Sequence, residues 1–114
     1  MKNTLICTFL ACILMFSAYS QEKVVSTLQK VDLIAIPKFN EKKHDFGTDY
    51  YILNRNTFAV KVKLALVDTA NTRDGLTTNE ITVESRERNY AGWIIQRNMN
   101  KETTWSLKWE VTRN

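Results

Sequence analysis

From Phe58 to Val67 the chain alternates. Phe58, Val60, Val62, Leu64 and Leu66 occupy one parity, and Lys61 and Lys63 occupy the other. Strand side chains point to opposite faces with a period of two, so this segment predicts a half-buried strand. A helix would set Lys61 beside Leu64 and Ala65 and spoil its own apolar stripe. Thr103 to Val111 repeats the pattern, with Trp105, Leu107, Trp109 and Val111 set against Thr104, Ser106, Lys108 and Glu110. Glu80 to Glu84 is a shorter version with Ile81 and Val83 inward, and Thr48 to Leu53 predicts another strand. Tyr90 to Gln96 is apolar on both parities, which suits a strand covered on both faces or an edge near a partner. Val24 to Ile36 fits a strand with a bulge, with Leu28, Val31, Leu33 and Ile36 as its apolar positions. Its β-branched residues Val24, Val25, Thr27, Val31 and Ile34 count against a helix.

The connections carry turn chemistry. Asn54 to Thr57 predicts a tight hairpin turn, since Asn tolerates positive φ at low cost. Arg86 to Asn89 and Asn98 to Lys101 predict two more. Asp68 to Thr78 is a longer loop, and Pro37 to Gly47 is the longest irregular stretch. Neither a repeat nor a low-complexity tract interrupts the series. Six or seven short strands joined by polar turns predict an all-β protein, a small antiparallel sandwich of immunoglobulin-like type. The cysteine pair of antibody domains has no equivalent in it, so only the general architecture is implied.

The first twenty residues do not fit that pattern. Lys2, the apolar run Leu5 to Phe16 and the small residues of Ala18-Tyr19-Ser20 predict a cleaved signal peptide over residues 1–20. The domain is then residues 21–114, exported to the periplasm or beyond, and the apolar run is too short to serve as a membrane span. Cys12 follows a small residue, as a lipidated cysteine would. Cleavage there would leave the apolar stretch Ile13 to Phe16 at the new terminus, which argues against a lipoprotein. Both cysteines, Cys7 and Cys12, leave with the signal, so the mature chain has neither disulfide nor thiol chemistry. A cysteine-free exported domain fits a bacterial envelope.

Removing Lys2 lowers the net charge from +4 to +3. The basic residues are scattered, with no stripe suited to nucleic acid. His44, the one histidine, lies with Asp45 and Asp49 in a charged loop, too few ligands for a zinc site. Asp68, Asn71 and Asp74 before Gly75 hint at calcium, but their spacing is not that of an EF-hand. Their simpler reading is turn chemistry, and no metal or cofactor is expected. There is no Gly-x-Ser-x-Gly elbow, no glycine-rich phosphate loop and no spacing that joins His44 to Ser26, Ser85 or Ser106. No catalytic residue is nominated.

The aromatics are more informative. Trp105 and Trp109 share a parity with Leu107 and Val111, which predicts core. Trp93 lies in the segment that is apolar on both sides, so one of its faces is a candidate contact surface. The binding residues nominated from sequence are Trp93 and Tyr90, with Asn71, Arg73 and Asp74 of the long loop. The loop around Phe39 to Asp49 is a further candidate.

The stretch from Tyr51 to Arg73, followed by Ile81-Thr82-Val83, resembles the β-sandwich accessory domain found ahead of secreted lysostaphin-like peptidases. The matching positions are Asn54 in its turn, the strand Phe58 to Leu66, Asn71, and Ile81 to Val83, about a third of the chain. That family tends to have prolines after the short strand, where Ser85-Arg86-Glu87 stands here. The peptidase part with its zinc ligands has no counterpart, so the resemblance implies a fold and an envelope setting and carries over no catalytic residue.

The expected function is that of an exported, non-catalytic module binding a protein or cell-wall glycan. Two alternatives stay open. One is a small exported hydrolase or hydrolase inhibitor. The other is a structural subunit that associates through an edge strand.

Overall fold

A computed structural model describes residues 22–77 and 79–114. The expected signal peptide, residues 1–20, and Cys12 within it lie outside the described residues. Eight strands follow in chain order: β1 Lys23–Leu28, β2 Val31–Phe39, β3 Asp45–Asn54, β4 Val60–Ala70, β5 Thr72–Asp74, β6 Ile81–Val83, β7 Arg88–Gln96 and β8 Thr104–Arg113. They form two antiparallel sheets, one five-stranded in the order β1-β2-β3-β7-β5, the other three-stranded in the order β6-β4-β8. The antiparallel all-β sandwich is as expected from the alternation, with eight strands instead of six or seven. Among the described residues no helix is long and apolar enough to cross a membrane.

The additional strands have local causes. Val24 to Ile36 is a hairpin, with Leu28 opposite Val31 across Gln29-Lys30. Both turn residues have positive φ, 48° and 60°, the backbone of a type I′ turn without its usual Asn-Gly. The anticipated bulge lies in β1, where the register shifts between Val24 and Ser26. The long loop also holds structure. Asp68 to Ala70 extend β4, and Thr72 to Asp74 form β5 against β7. Pro37 lies inside β2, beyond the point where β1 stops pairing at Ala35, so among the described residues that stretch of β2 has one neighbour only.

The three expected hairpin turns are corners between the sheets. After the β1-β2-β3 meander, each connection crosses from one sheet to the other. Asn54 shows why. Its side chain is fully buried and its Nδ2 reaches the carbonyls of Phe58 (2.8 Å), Val83 (3.1 Å) and Glu84 (3.2 Å). Its Oδ1 accepts from the backbone and side-chain amides of Asn56. The residue is thus used as a clamp between layers, with no positive φ at positions 54 to 57.

Val31, Leu33, Ile52, Val60, Val62, Val83, Ala91, Ile94 and Val111 fill the space between the sheets. Each large aliphatic side chain so buried contributes about 1.5–3 kcal/mol. Trp105 and Trp109 point inward as expected but are only half-buried, because β8 is an edge strand. Their indoles donate to Tyr50 Oη (2.9 Å) and Ser26 Oγ (3.0 Å). Burial raises the Tyr50 phenol above its ordinary pKa, against the opposing hydrogen bonds from Trp105 and Thr48.

Candidate functional site

The candidate site lies on the outer face of the five-stranded sheet. Tyr50 and Ile52 point into the core, so Asp49 and Tyr51 between and beside them point out. The strand registers then align side chains in rows across this face. Val24, Ile34, Tyr51 and Tyr90 form one row, and Ile36, Asp49 and Trp93 the next. Lys38, Gly47, Ile95 and Arg73 form a third, and Asp32, Leu53 and Arg88 a fourth on the other side. Ile34 is 2% exposed yet takes no part in the inter-sheet core. It is the apolar floor of this face, beneath its neighbours in the row.

Tyr90 is 48% exposed. Its ring lies 5.1 Å from that of Tyr51 at an interplanar angle of 57°, a tilted aromatic pair. The Arg88 guanidinium sits 4.5 Å from the Tyr51 ring centroid and pairs with Glu22 at 2.8 Å. Tyr90 Oη donates to Asp49 Oδ1 at 2.7 Å, and Lys38 Nζ approaches the same carboxylate at 3.2 Å. Desolvation, and then the Asp49 carboxylate that accepts its hydrogen bond and repels a phenolate, push the Tyr90 phenol up to about 12. Asp32 anchors the rim. Burial alone would raise its pKa, but hydrogen bonds from Arg55 (2.9 Å) and Thr27 (2.8 Å) and the guanidinium charge hold it below the usual carboxylate value.

Trp93 lies against the β5 end of the sheet. A methyl group on Gly75 would overlap its Nε1 and Cε2, so the absence of a side chain at position 75 lets the indole lie flat on the backbone. Gly92 behind it has φ +122° in the bulge between β3 and β7, and a Cβ there would strike the Gly75 carbonyl. Unlike Trp105 and Trp109, Trp93 has no acceptor for its indole N–H among the described residues.

The residues nominated from sequence separate into two groups. Trp93, Tyr90 and Arg73 share the outer face. Asn71 does not join them: its Nδ2 donates to Asn98 O, Lys101 O and Thr103 Oγ1, and its Oδ1 accepts from Asn98 N. Asp74 takes the opposite parity to Arg73 in β5 and accepts from the backbone of Leu76. In the turn from Phe39 to Asp45, the Asn40 side chain binds the backbone of Lys42 and His44, and His44 is exposed there. Among the described residues no three His, Cys, Asp or Glu side chains gather as metal ligands.

No family model, curated protein or solved structure matches this chain.

Lys38, Tyr51 and Arg88 belong to the face and were not nominated from sequence, and Asp49 entered only as the last residue of the candidate loop Phe39 to Asp49. Part of the signal was present, since Asp49 and Tyr51 share a parity in Thr48 to Leu53. Which of Tyr50 and Tyr51 faced the core depended on pairing with β2 and β7.

Proposed function

We propose that the chain is an exported, non-catalytic binding module whose outer sheet face takes a glycan of the cell envelope. The observation that carries this reading is the aromatic row Tyr51–Tyr90 beside Trp93, flanked by the Lys38–Asp49 pair and by Arg73. Aromatic faces suit the apolar faces of sugar rings, and a carboxylate with a cation beside it suits hydroxyl groups. The Asp49 carboxylate is already engaged by Tyr90 and Lys38, which favours binding over turnover. The signal-peptide pattern and the resemblance to envelope-peptidase accessory domains support the setting.

Tryptophan fluorescence tests the proposal. Acrylamide should quench Trp93 more than Trp105 and Trp109, and soluble peptidoglycan fragments should protect it. Trp93→Ala or Tyr90→Ala should each weaken binding about tenfold or more while far-UV circular dichroism stays unchanged. Fragments that bind equally well to both variants would refute this site. Protection of Trp93 by an envelope protein and not by glycan would transfer the face to a protein partner.

A further inference from the structure

Among the described residues one lateral side of the sandwich is open. β1 and β8 are edge strands of different sheets, and they flank a groove of about 420 Å³ lined by Leu33, Tyr50, Trp105, Leu107 and Trp109. Ser26 and Gln29 bridge across to Trp109 and Val111, so both edges face the same side. Val25 and Leu28 of β1 are exposed, at 46% and 38%, and Val25 lines the groove. An edge of ten residues with half-exposed tryptophans behind it is a surface that proteins ordinarily cover or charge.

Among the described residues no strand pairs with the outer edge of β8. Gln29 Nε2 donates to Val111 O at 3.2 Å, so this carbonyl points away from β4. Alternate residues of a strand aim their backbone groups the same way. Trp105, Leu107 and Trp109 therefore present N–H and C=O outward as well. The Val111 carbonyl has a second lone pair for another donor.

From these features we infer that β8 pairs antiparallel with β8 of a second copy, on a two-fold axis through Trp109. Charge fixes that register. Centred on Trp109, Lys108 of each copy lies opposite Glu110 of the other, twice over. A two-fold centred on Lys108 or on Glu110 would oppose like charges, and one centred on Leu107 would set Lys108 against Ser106. Opposite charges in directly opposed cross-strand positions stabilise, and like charges destabilise. The pairing is isologous and closes at two copies. It joins the three-stranded sheets into one of six strands, and it brings the exposed apolar side chains of β1 toward their equivalents across the axis.

Sedimentation of the exported, processed chain tests this with two single variants. The native chain should be a dimer. Lys108→Glu sets two acidic pairs across the axis, and Glu110→Lys sets two basic pairs. Each variant alone should dissociate about tenfold or more readily, with circular dichroism unchanged. Mixing the two should restore the dimer as a heterodimer. The carboxylate introduced at position 108 of one copy then faces the ammonium introduced at position 110 of the other, and the unchanged Glu110 of the first faces the unchanged Lys108 of the second. A native chain that stays monomeric at about 100 μM overturns the inference, including a monomer that takes an extended peptide on the same edge instead. So does a dimer indifferent to either charge reversal, or a mixture that fails to associate.

Discussion

Single polar residues hold distant parts of this protein together. Asn54 is the clearest. Replacing it with Ala leaves the carbonyls of Phe58, Val83 and Glu84 without its Nδ2. Unsatisfied buried groups cost about 1–3 kcal/mol each, partly recovered by relaxation. Asn54→Ala should lower stability by about 2–4 kcal/mol in urea unfolding. Asp32 gives a pH signature. Its folded pKa lies below the ordinary value, so its contribution is complete above that ordinary value and is lost as pH falls through the depressed one. The stability difference between the native chain and Asp32→Asn should shrink accordingly in acid. Tyr90 has the opposite sign. Its folded pKa is raised to about 12, so its contribution is full below the ordinary tyrosine value near 10 and lost as pH rises through about 12. Absorbance titration at alkaline pH should show this late-ionising tyrosine, and Tyr90→Phe should remove it.

Elements depend on backbone conformations that few residues tolerate. In the β1–β2 turn Gln29 holds Val111 O through its side chain and Asn56 Nδ2 through its backbone carbonyl. Lys30 has no such side-chain role among the described residues, and its φ of 60° is strained for a residue with a Cβ. Lys30→Gly should therefore stabilise the hairpin, by about 0.5–1 kcal/mol, read as a rise in melting temperature. The bulge on β7 works in the other direction. Gly92 combines φ +122° with backbone of Gly75 and Leu76 where a Cβ would be. Gly92→Ala should cost about 2 kcal/mol or more in the same unfolding assay and should shift Trp93 fluorescence, because the indole rests on the displaced backbone.

At the scale of the whole molecule two asparagine clamps close the sandwich at opposite ends. Asn54 ties the end where β3 passes to β4 to the β6–β7 corner. Asn71 ties the far end, from β4–β5 to the β7–β8 connection. They share no partner, so their losses should be independent. In the double variant Asn54→Ala/Asn71→Ala the destabilisation should equal the sum of the single changes to within about 0.5 kcal/mol. A large departure would mean that the two ends are energetically coupled. The two open surfaces differ in kind, one a sheet face and the other a gap between the edges of the two sheets. The five-stranded sheet turns its aromatic face outward, and the edges β1 and β8 leave the other opening.

The sequence by itself determined the fold class and most strand positions. Alternation in Phe58 to Val67 and Thr103 to Val111 is a local property, because burial of one face selects one parity whatever the partner strand. It also nominated Trp93 and Tyr90, because their segment is apolar on both parities. Pairing was decided only by the tertiary structure. Whether Asn54 turned a hairpin or crossed between layers depended on carbonyls at Val83 and Glu84, about thirty residues away, and no local propensity encodes them. The same holds for Asn71, a loop residue in sequence and a clamp in space. The candidate face needed registers as well. Asp49, Lys38 and Tyr90 come from three strands, and a shift of one residue in any of them would turn its side chain to the other face of the sheet.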